Sequence, residues 1–160
     1  MKLRIFISFL FLTLFVFVKA DTKGPGFDKA EFYAAMASDK LEDINTELIM
    51  VKASSIVEKE AYEGALLMKK SGLVGNAKEK LSLFRSGRAK LEACISKDNN
   101  NAEYRFLRVM IQEHAPKIVK YRDELDQDSQ LIRASYKNLP QFLQQVINDY
   151  SKKSKVLKTP

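Results

Sequence analysis

Apolar residues recur every three or four positions along most of this chain, and that spacing limits the folds it can form. Leu41, Ile44, Leu48 and Val51 are one example of the pattern. Such steps place side chains on one face of an α-helix, whereas a half-buried strand would alternate at every second residue. No window of strand length alternates convincingly. The pattern predicts an all-α protein of about six or seven helices and no sheet.

Local signals predict where these helices begin and end. Residues 28–31 and residues 76–79 each have the form of a capping box, in which an N-cap acceptor is followed three residues later by glutamate. The pair Ser54-Ser55 indicates a break or a bend, and Gly72 indicates a helix C-terminus. Pro116 is expected to begin a new helix, because proline is favoured in the first turn.

The apolar residues also predict which side chains are buried. Between Tyr104 and Ile111 they are too closely spaced for a narrow stripe, so we expect this helix to be enclosed on most sides, at the centre of the fold. Leu81 is expected on the inward face of the preceding helix. Ile118 continues the helical period after Pro116, and Phe142 belongs to the apolar face of the last helix.

The first 20 residues have the order of a secretory signal peptide. Lys2 and Arg4 precede an apolar run over 5–18, and small residues precede a cut after about Ala20. The run is shorter than the roughly 20 residues that a membrane-spanning helix needs. We therefore expect an exported protein, periplasmic or secreted. The expected organisation is a signal peptide over 1–20, a flexible leader over 21–27, a single helical domain over 28–150 and a basic C-terminal tail over 151–160.

The formal net charge of +7 is concentrated at the two ends of the chain. Seven of the 27 basic residues lie before position 21 or after position 150, and those segments contain no acidic residue. The basic residues that remain equal the 20 acidic residues in number, so the body is neutral overall. We expect no nucleic-acid partner, and at most weak membrane contact through the lysine tail.

One junction resembles a divergent tetratricopeptide repeat hairpin, within about residues 61–110. Residues 90–104 follow that family's order of a helix end, a turn and a new helix opening with Ala-Glu and an aromatic residue, although Asn99 replaces the usual proline. The residues that fit are Ala93, Ile95, Asp98, Asn101, Ala102 and Tyr104. The resemblance implies a scaffold that binds peptides or proteins, without catalysis. A compact helical bundle fits the periodicity equally well, and both architectures stay open.

Residues that could carry chemistry are few. His114 is the only histidine, and Cys94 is the only cysteine and lies on an apolar helix face, where a thiol usually serves as packing. The acidic segment 123–128 lacks the glycine and the final glutamate of an EF-hand loop, so we expect a solvated helical face there. We assign no catalytic residue, metal ligand or cofactor.

The most basic internal stretch supplies a candidate partner-binding face, although charged helical faces are usually only solvated surfaces. Its residues are Lys69, Lys70, Lys78, Lys80, Arg85 and Arg88. Our first hypothesis is a non-enzymatic protein-interaction module of the cell envelope, whose partner is another protein or peptide. One alternative is a small envelope hydrolase or lyase that uses Glu60, Glu63 and Glu113. Another is an electrostatic binder of anionic envelope polymer or lipid.

Overall fold

The computed structural model describes residues 26–158, and within that range all regular structure is helical. The expected signal peptide and most of the expected leader lie outside the described residues. Seven α-helices follow one another: α1 (Lys29–Ala37), α2 (Leu41–Ala53), α3 (Lys59–Leu73), α4 (Ala77–Lys97), α5 (Ala102–His114), α6 (Leu125–Ser135) and α7 (Gln141–Ser151). The prediction of a compact all-α fold is therefore confirmed. None of these helices is long and apolar enough to cross a membrane.

Side-chain caps fix several helix starts. Asp28 Oδ1 accepts a hydrogen bond from Ala30 N at 2.7 Å, and Asn76 Oδ1 accepts one from Glu79 N at 3.0 Å. Both N-termini lie where the capping signals predict them. The break predicted at Ser54-Ser55 is confirmed, because α2 ends immediately before it.

The helix expected to begin at Pro116 does not form there. Only a single 3-10 turn, Lys117–Val119, follows the proline, and α6 begins several residues later. Lys120 ends the turn in the left-handed region, with a φ of 46°, which breaks the helical path. Ile118, expected to continue the apolar period, is 88% exposed for the same reason.

Two helices, α3 and α5, form the interior of the fold. Residues 61–68 of α3 are all buried, and this helix packs against α1, α2, α4 and α5. In α5, residues 104–109 are all buried, as the close spacing of apolar residues predicts. That stretch includes two arginines, Arg105 and Arg108, whose charges must be satisfied inside the protein.

A pair of glycines allows α3 and α4 to cross in backbone contact. A Cβ added at Gly64 would lie 2.8 Å from the carbonyl oxygen of Gly87, and one added at Gly87 would lie 2.5 Å from that of Gly64. Any side chain at either position would separate the helices. The conformational cost of glycine within a helix is therefore offset by close packing in this hairpin.

Two apolar residues predicted to face inward lie at the surface. Leu81 of α4 is 46% exposed and Phe142 of α7 is 40% exposed. At 3.6 residues per turn, Leu81 is rotated roughly 80° around α4 from the buried Leu91, so it falls outside the buried stripe. The contact between Gly64 and Gly87 determines which face of α4 is buried, and that face contains Gly87, Leu91 and Ile95.

The acidic segment 123–128 is not a solvated face throughout, because Asp128 is completely buried. Arg105 Nη1 donates to Asp128 Oδ1 at 2.9 Å, and Arg108 donates through Nε to Oδ2 at 2.7 Å and through Nη2 to Oδ1 at 2.8 Å. Arg108 also reaches Glu92 of α4 at 2.8 Å. This network joins α4, α5 and α6.

The expected basic tail begins with residues that pack against the body. Ser151, Ser154 and Leu157 are buried, the last of them completely. Glu113 at the end of α5 receives hydrogen bonds from Tyr150 Oη at 2.8 Å and from Ser154 Oγ at 2.7 Å. The packed part of the chain therefore extends beyond α7 as far as Leu157.

Candidate functional site

The C-terminal ends of α1, α3, α5 and α7 surround a cleft of about 750 Å³. A volume in this range is typical of a ligand-binding site. Much of the lining is methionine or aromatic: Met36, Met68, Met110, Tyr33, Phe84 and Tyr150. Methionine side chains are flexible and polarizable, so such a lining adapts to apolar groups of different shapes.

Charged side chains at the mouth of the cleft are mostly paired. Lys69 Nζ lies 3.1 Å from Asp39, and Asp149 lies 2.7 Å from Lys152. Lys153 makes no ion pair with any residue in the described range. Basic residues suit this end of the bundle, because helix C-termini carry partial negative charge. The electrostatic field at the mouth is therefore weak. The apolar lining is the main determinant of which ligands the cleft can bind.

The glutamates proposed for a hydrolase or lyase do not line this cleft. Lys90 binds both Glu60, at 2.5 Å, and Glu63, at 3.2 Å. The hydrogen bond from Lys90 lowers the pKa of Glu60. Burial alone would raise the pKa of Glu113, but hydrogen bonds from Ser154, Lys155 and Tyr150 lower it overall. A general acid needs a raised carboxyl pKa, so this arrangement gives the enzyme hypothesis no support.

Cys94 and His114 belong to opposite ends of the bundle. Cys94 is half-buried against the core, and burial raises the pKa of its thiol with help from the charge of Glu60. It interacts with Tyr104 near the start of α5, whereas His114 ends that helix. Ten residues of helix separate those positions by about 15 Å, so the two side chains cannot act as a catalytic pair.

The structure brings together three of the six residues in the predicted basic face. Lys78, Arg85 and Arg88 are exposed and lie seven and three residues apart, on one side of α4. We call these three residues the cationic strip. Lys80 points away from it, since a two-residue step turns the helix by about 200°. Lys69 and Lys70 are half-buried on α3, and Lys69 is held by Asp39.

The repeat-like residues form the junction between α4 and α5. Asn101 caps α5 by accepting hydrogen bonds from the backbone N–H groups of Glu103 and Tyr104, both at 3.1 Å. Its side-chain amide also donates to Asp98 at 3.2 Å. Ile95, Ala102 and Tyr104 are buried and Ala93 is exposed.

No protein family, curated protein or solved structure matches this chain. The relation to tetratricopeptide repeats therefore stays a prediction. It rests on the residues of the α4–α5 junction alone.

No local sequence pattern indicates the cleft, because its lining comes from five helices and the segment after α7. Met36, Met68 and Met110 are far apart in the chain, and methionine is common in hydrophobic cores. Their presence in the sequence therefore does not predict a cleft.

Proposed function

We propose that this protein is an exported, non-enzymatic interaction module of the cell envelope, and that its cleft receives an apolar segment of a partner protein. The observation that carries the proposal is the adaptable, largely apolar lining of a cleft of about 750 Å³. Export is the expectation from residues 1–20, and it places the partner outside the cytoplasm.

The surface beside the cleft adds a preference for acidic residues. Phe84 lines the cleft, and Leu81 and Arg88 lie three residues before it and four residues after it on the same helix. Residues at those spacings are neighbours on a helix surface. The cationic strip and the exposed Leu81, which lies between its residues on α4, therefore border the cleft. A partner segment that combines apolar anchors with flanking acidic residues fits both surfaces.

Gly72 offers a way to fill the cleft without disturbing the core. It lines the cleft near the end of α3, and a Cβ added there meets no other atom within 4 Å. We expect Gly72→Trp to block binding, while Gly72→Ala adds only a methyl group and serves as the matched control. Losing the burial of one large anchor side chain costs about 1.5–3 kcal/mol, which is about tenfold or more in affinity.

The test uses labelled amphipathic peptides with leucine and methionine anchors, measured by fluorescence anisotropy. One set has glutamate flanks and a matched set has lysine flanks. We expect tighter binding of the glutamate set, loss of binding in Gly72→Trp, and retention in Gly72→Ala. Reversing the charge of Lys78 and Arg85 should remove only the preference for acidic flanks, and Arg88 is left in place because it packs over the ring of Tyr121. Binding that Gly72→Trp leaves unchanged would contradict the proposal.

The cationic strip favours one second function, attachment to an anionic polymer or lipid. In that case vesicles of anionic lipid would bind the protein at low salt and release it as salt rises. Gly72→Trp would leave this binding unchanged, whereas reversal of Lys78 and Arg85 would weaken it strongly. The same two variants thus separate the two functions.

A further inference from the structure

A second, shallower pocket of about 360 Å³ lies between α1 and α2, away from the cleft. Three of its six lining residues are acidic: Glu31 from α1, and Asp43 and Glu47 from α2. The rest of the lining is Ala34, Ala35 and Thr46. None of the three carboxylates forms an ion pair with another residue in the range 26–158.

Glu47 is the unusual member of this group. Its side chain belongs to a residue that is only 4% exposed, and its Oε1 atom is buried without any hydrogen-bond donor in the described protein. Burial raises the pKa of this carboxyl group, and the charges of Glu31 and Asp28 raise it further. A buried carboxylate without a partner is costly, so the site is electrostatically incomplete.

Two donors near the pocket, Lys29 and Ser38, form their hydrogen bonds with groups other than Glu47. Lys29, two residues before Glu31, binds Glu103 through Nζ at 2.9 Å. Ser38 Oγ donates to Asp43 at 2.5 Å, which leaves Glu31 and Glu47 without that donor. No basic side chain in the described range therefore neutralises the three carboxylates of the pocket.

We infer that the pocket between α1 and α2 is a binding site for one organic cation, an ammonium or guanidinium group seated against Glu47, Glu31 and Asp43. The described residues include no group of three or more His, Cys, Asp or Glu side chains placed to hold a metal ion. An ammonium group has three N–H donors and a guanidinium has five, so either can donate hydrogen bonds to more than one carboxylate at once. The site is separate from the cleft and does not depend on the proposed function.

The cation can belong to a free amine or to a lysine or arginine side chain of a peptide, and the experiment separates these sources. Ethylammonium, methylguanidinium, and blocked tripeptides with a central lysine or arginine are titrated into the full mature protein. Binding is followed by two-dimensional amide NMR, with calcium chloride as a metal control. We expect saturable shifts confined to residues near Ala34 and Thr46, and none of this kind with calcium. A peptide that binds tighter than its free amine identifies a peptide ligand; equal affinities identify a small amine.

Glu47→Gln keeps the shape of the side chain and removes its charge, so we expect at least about tenfold weaker binding. Glu42→Gln, on the exposed side of α2, is the matched control and should bind like the wild type. Ala34→Lys supplies a tethered cation within the pocket and should raise the melting temperature and abolish binding, whereas Ala34→Gln should do neither.

Several results would overturn the inference. One is the absence of saturable binding by every cation tested. Another is an equal loss of affinity in Glu47→Gln and Glu42→Gln, which would indicate diffuse attraction of counter-ions. If Glu47→Gln changes the spectrum too broadly to interpret, Ala34→Lys decides the matter, because an unchanged melting temperature there contradicts the site.

Discussion

Asp128 and Glu47 are both buried carboxylates on amphipathic helices, yet their surroundings are opposite. Asp128 is enclosed by two arginines, and both of its oxygens accept hydrogen bonds. Glu47 lies at the edge of the α1–α2 pair, with acidic neighbours and with no donor for its Oε1. Both oxygens of Asp128 are hydrogen-bonded within the fold, whereas Glu47 lines a surface pocket and has one buried oxygen without a hydrogen-bond donor.

The difference shows that burial by itself does not define the role of a charged residue. Around Asp128, charge-assisted hydrogen bonds connect α4, α5 and α6, so the network is structural. The buried Oε1 of Glu47 has no hydrogen-bond donor or counter-charge in the described protein. A ligand that supplies either one therefore removes an unfavourable interaction when it binds. Substitutions at these two positions, and at Glu113 as an intermediate case, test that distinction.

The largest effect is expected from Asp128→Asn. The substitution leaves the buried Arg105 without its counter-charge and leaves Arg108 with Glu92 alone. Breaking a buried ion pair in this way costs about 3–5 kcal/mol. Urea unfolding followed by far-UV circular dichroism would measure the change. Asp126→Asn, on the exposed face of the same helix, is the control and should cost under about 1 kcal/mol. Equal losses in the two variants would contradict the structural role of the network.

A smaller effect is expected from Glu113→Gln, because this carboxylate is satisfied by neutral donors. Loss of charge-assisted hydrogen bonds from Tyr150, Ser154 and the Lys155 backbone should cost about 1–3 kcal/mol. The pKa of Glu113 is lowered, so its contribution to the free energy of unfolding is present above the ordinary value of 4.5 and is lost as pH falls through the folded-state pKa.

The stability of Glu113→Gln should therefore approach that of the wild type in acid. Ser154→Ala removes a single donor and should cost less than Glu113→Gln at neutral pH. If Glu113→Gln costs nothing at pH 7, the segment after α7 is not held by this residue.

The smallest effect, and one of opposite sign, is expected from Glu47→Gln. The pKa of Glu47 is raised above 4.5, so its contribution to stability is fully present below that value and is lost as pH rises through the folded-state pKa. Glu47→Gln avoids this loss, and we expect it to be more stable than the wild type at pH 7.

Melting curves at pH 4 and pH 7 would test this expectation. The advantage of Glu47→Gln should disappear at the lower pH, where the wild-type carboxyl group is protonated. Glu42→Gln should show no comparable pH dependence. Destabilisation by Glu47→Gln at both values would mean that Glu47 has a favourable partner in the folded protein, and the comparison with Asp128 would fail.

The helices and their ends were largely predictable from the sequence. The capping residues Asp28 and Asn76, and the break at Ser54-Ser55, act through neighbours a few residues away, so their effects can be deduced locally. The prediction of a helix beginning at Pro116 was wrong, because proline is compatible with a helix start but does not by itself cause one. The residues that follow it form only a 3-10 turn, and α6 begins at Leu125.

Predictions about individual side chains succeeded less often. Leu81 was expected inside and is exposed, while Asp128 was expected in solvent and is buried. Each outcome depends on the register between two helices: the Gly64–Gly87 contact sets the buried stripe of α4, and the arginines of α5 meet Asp128 of α6. Registers of this kind involve residues 20 or more positions apart and leave no local pattern in the sequence.

The sequence by itself determined that this protein is built from helices, because helical periodicity and caps arise from interactions within one or two turns of chain. Tertiary structure alone decided which charges are buried and paired, where four helix ends leave an apolar cleft, and that Glu47 faces acidic neighbours. Those features depend on how separate helices pack against one another, since the dielectric surroundings and partners of a side chain are set by every element that contacts it.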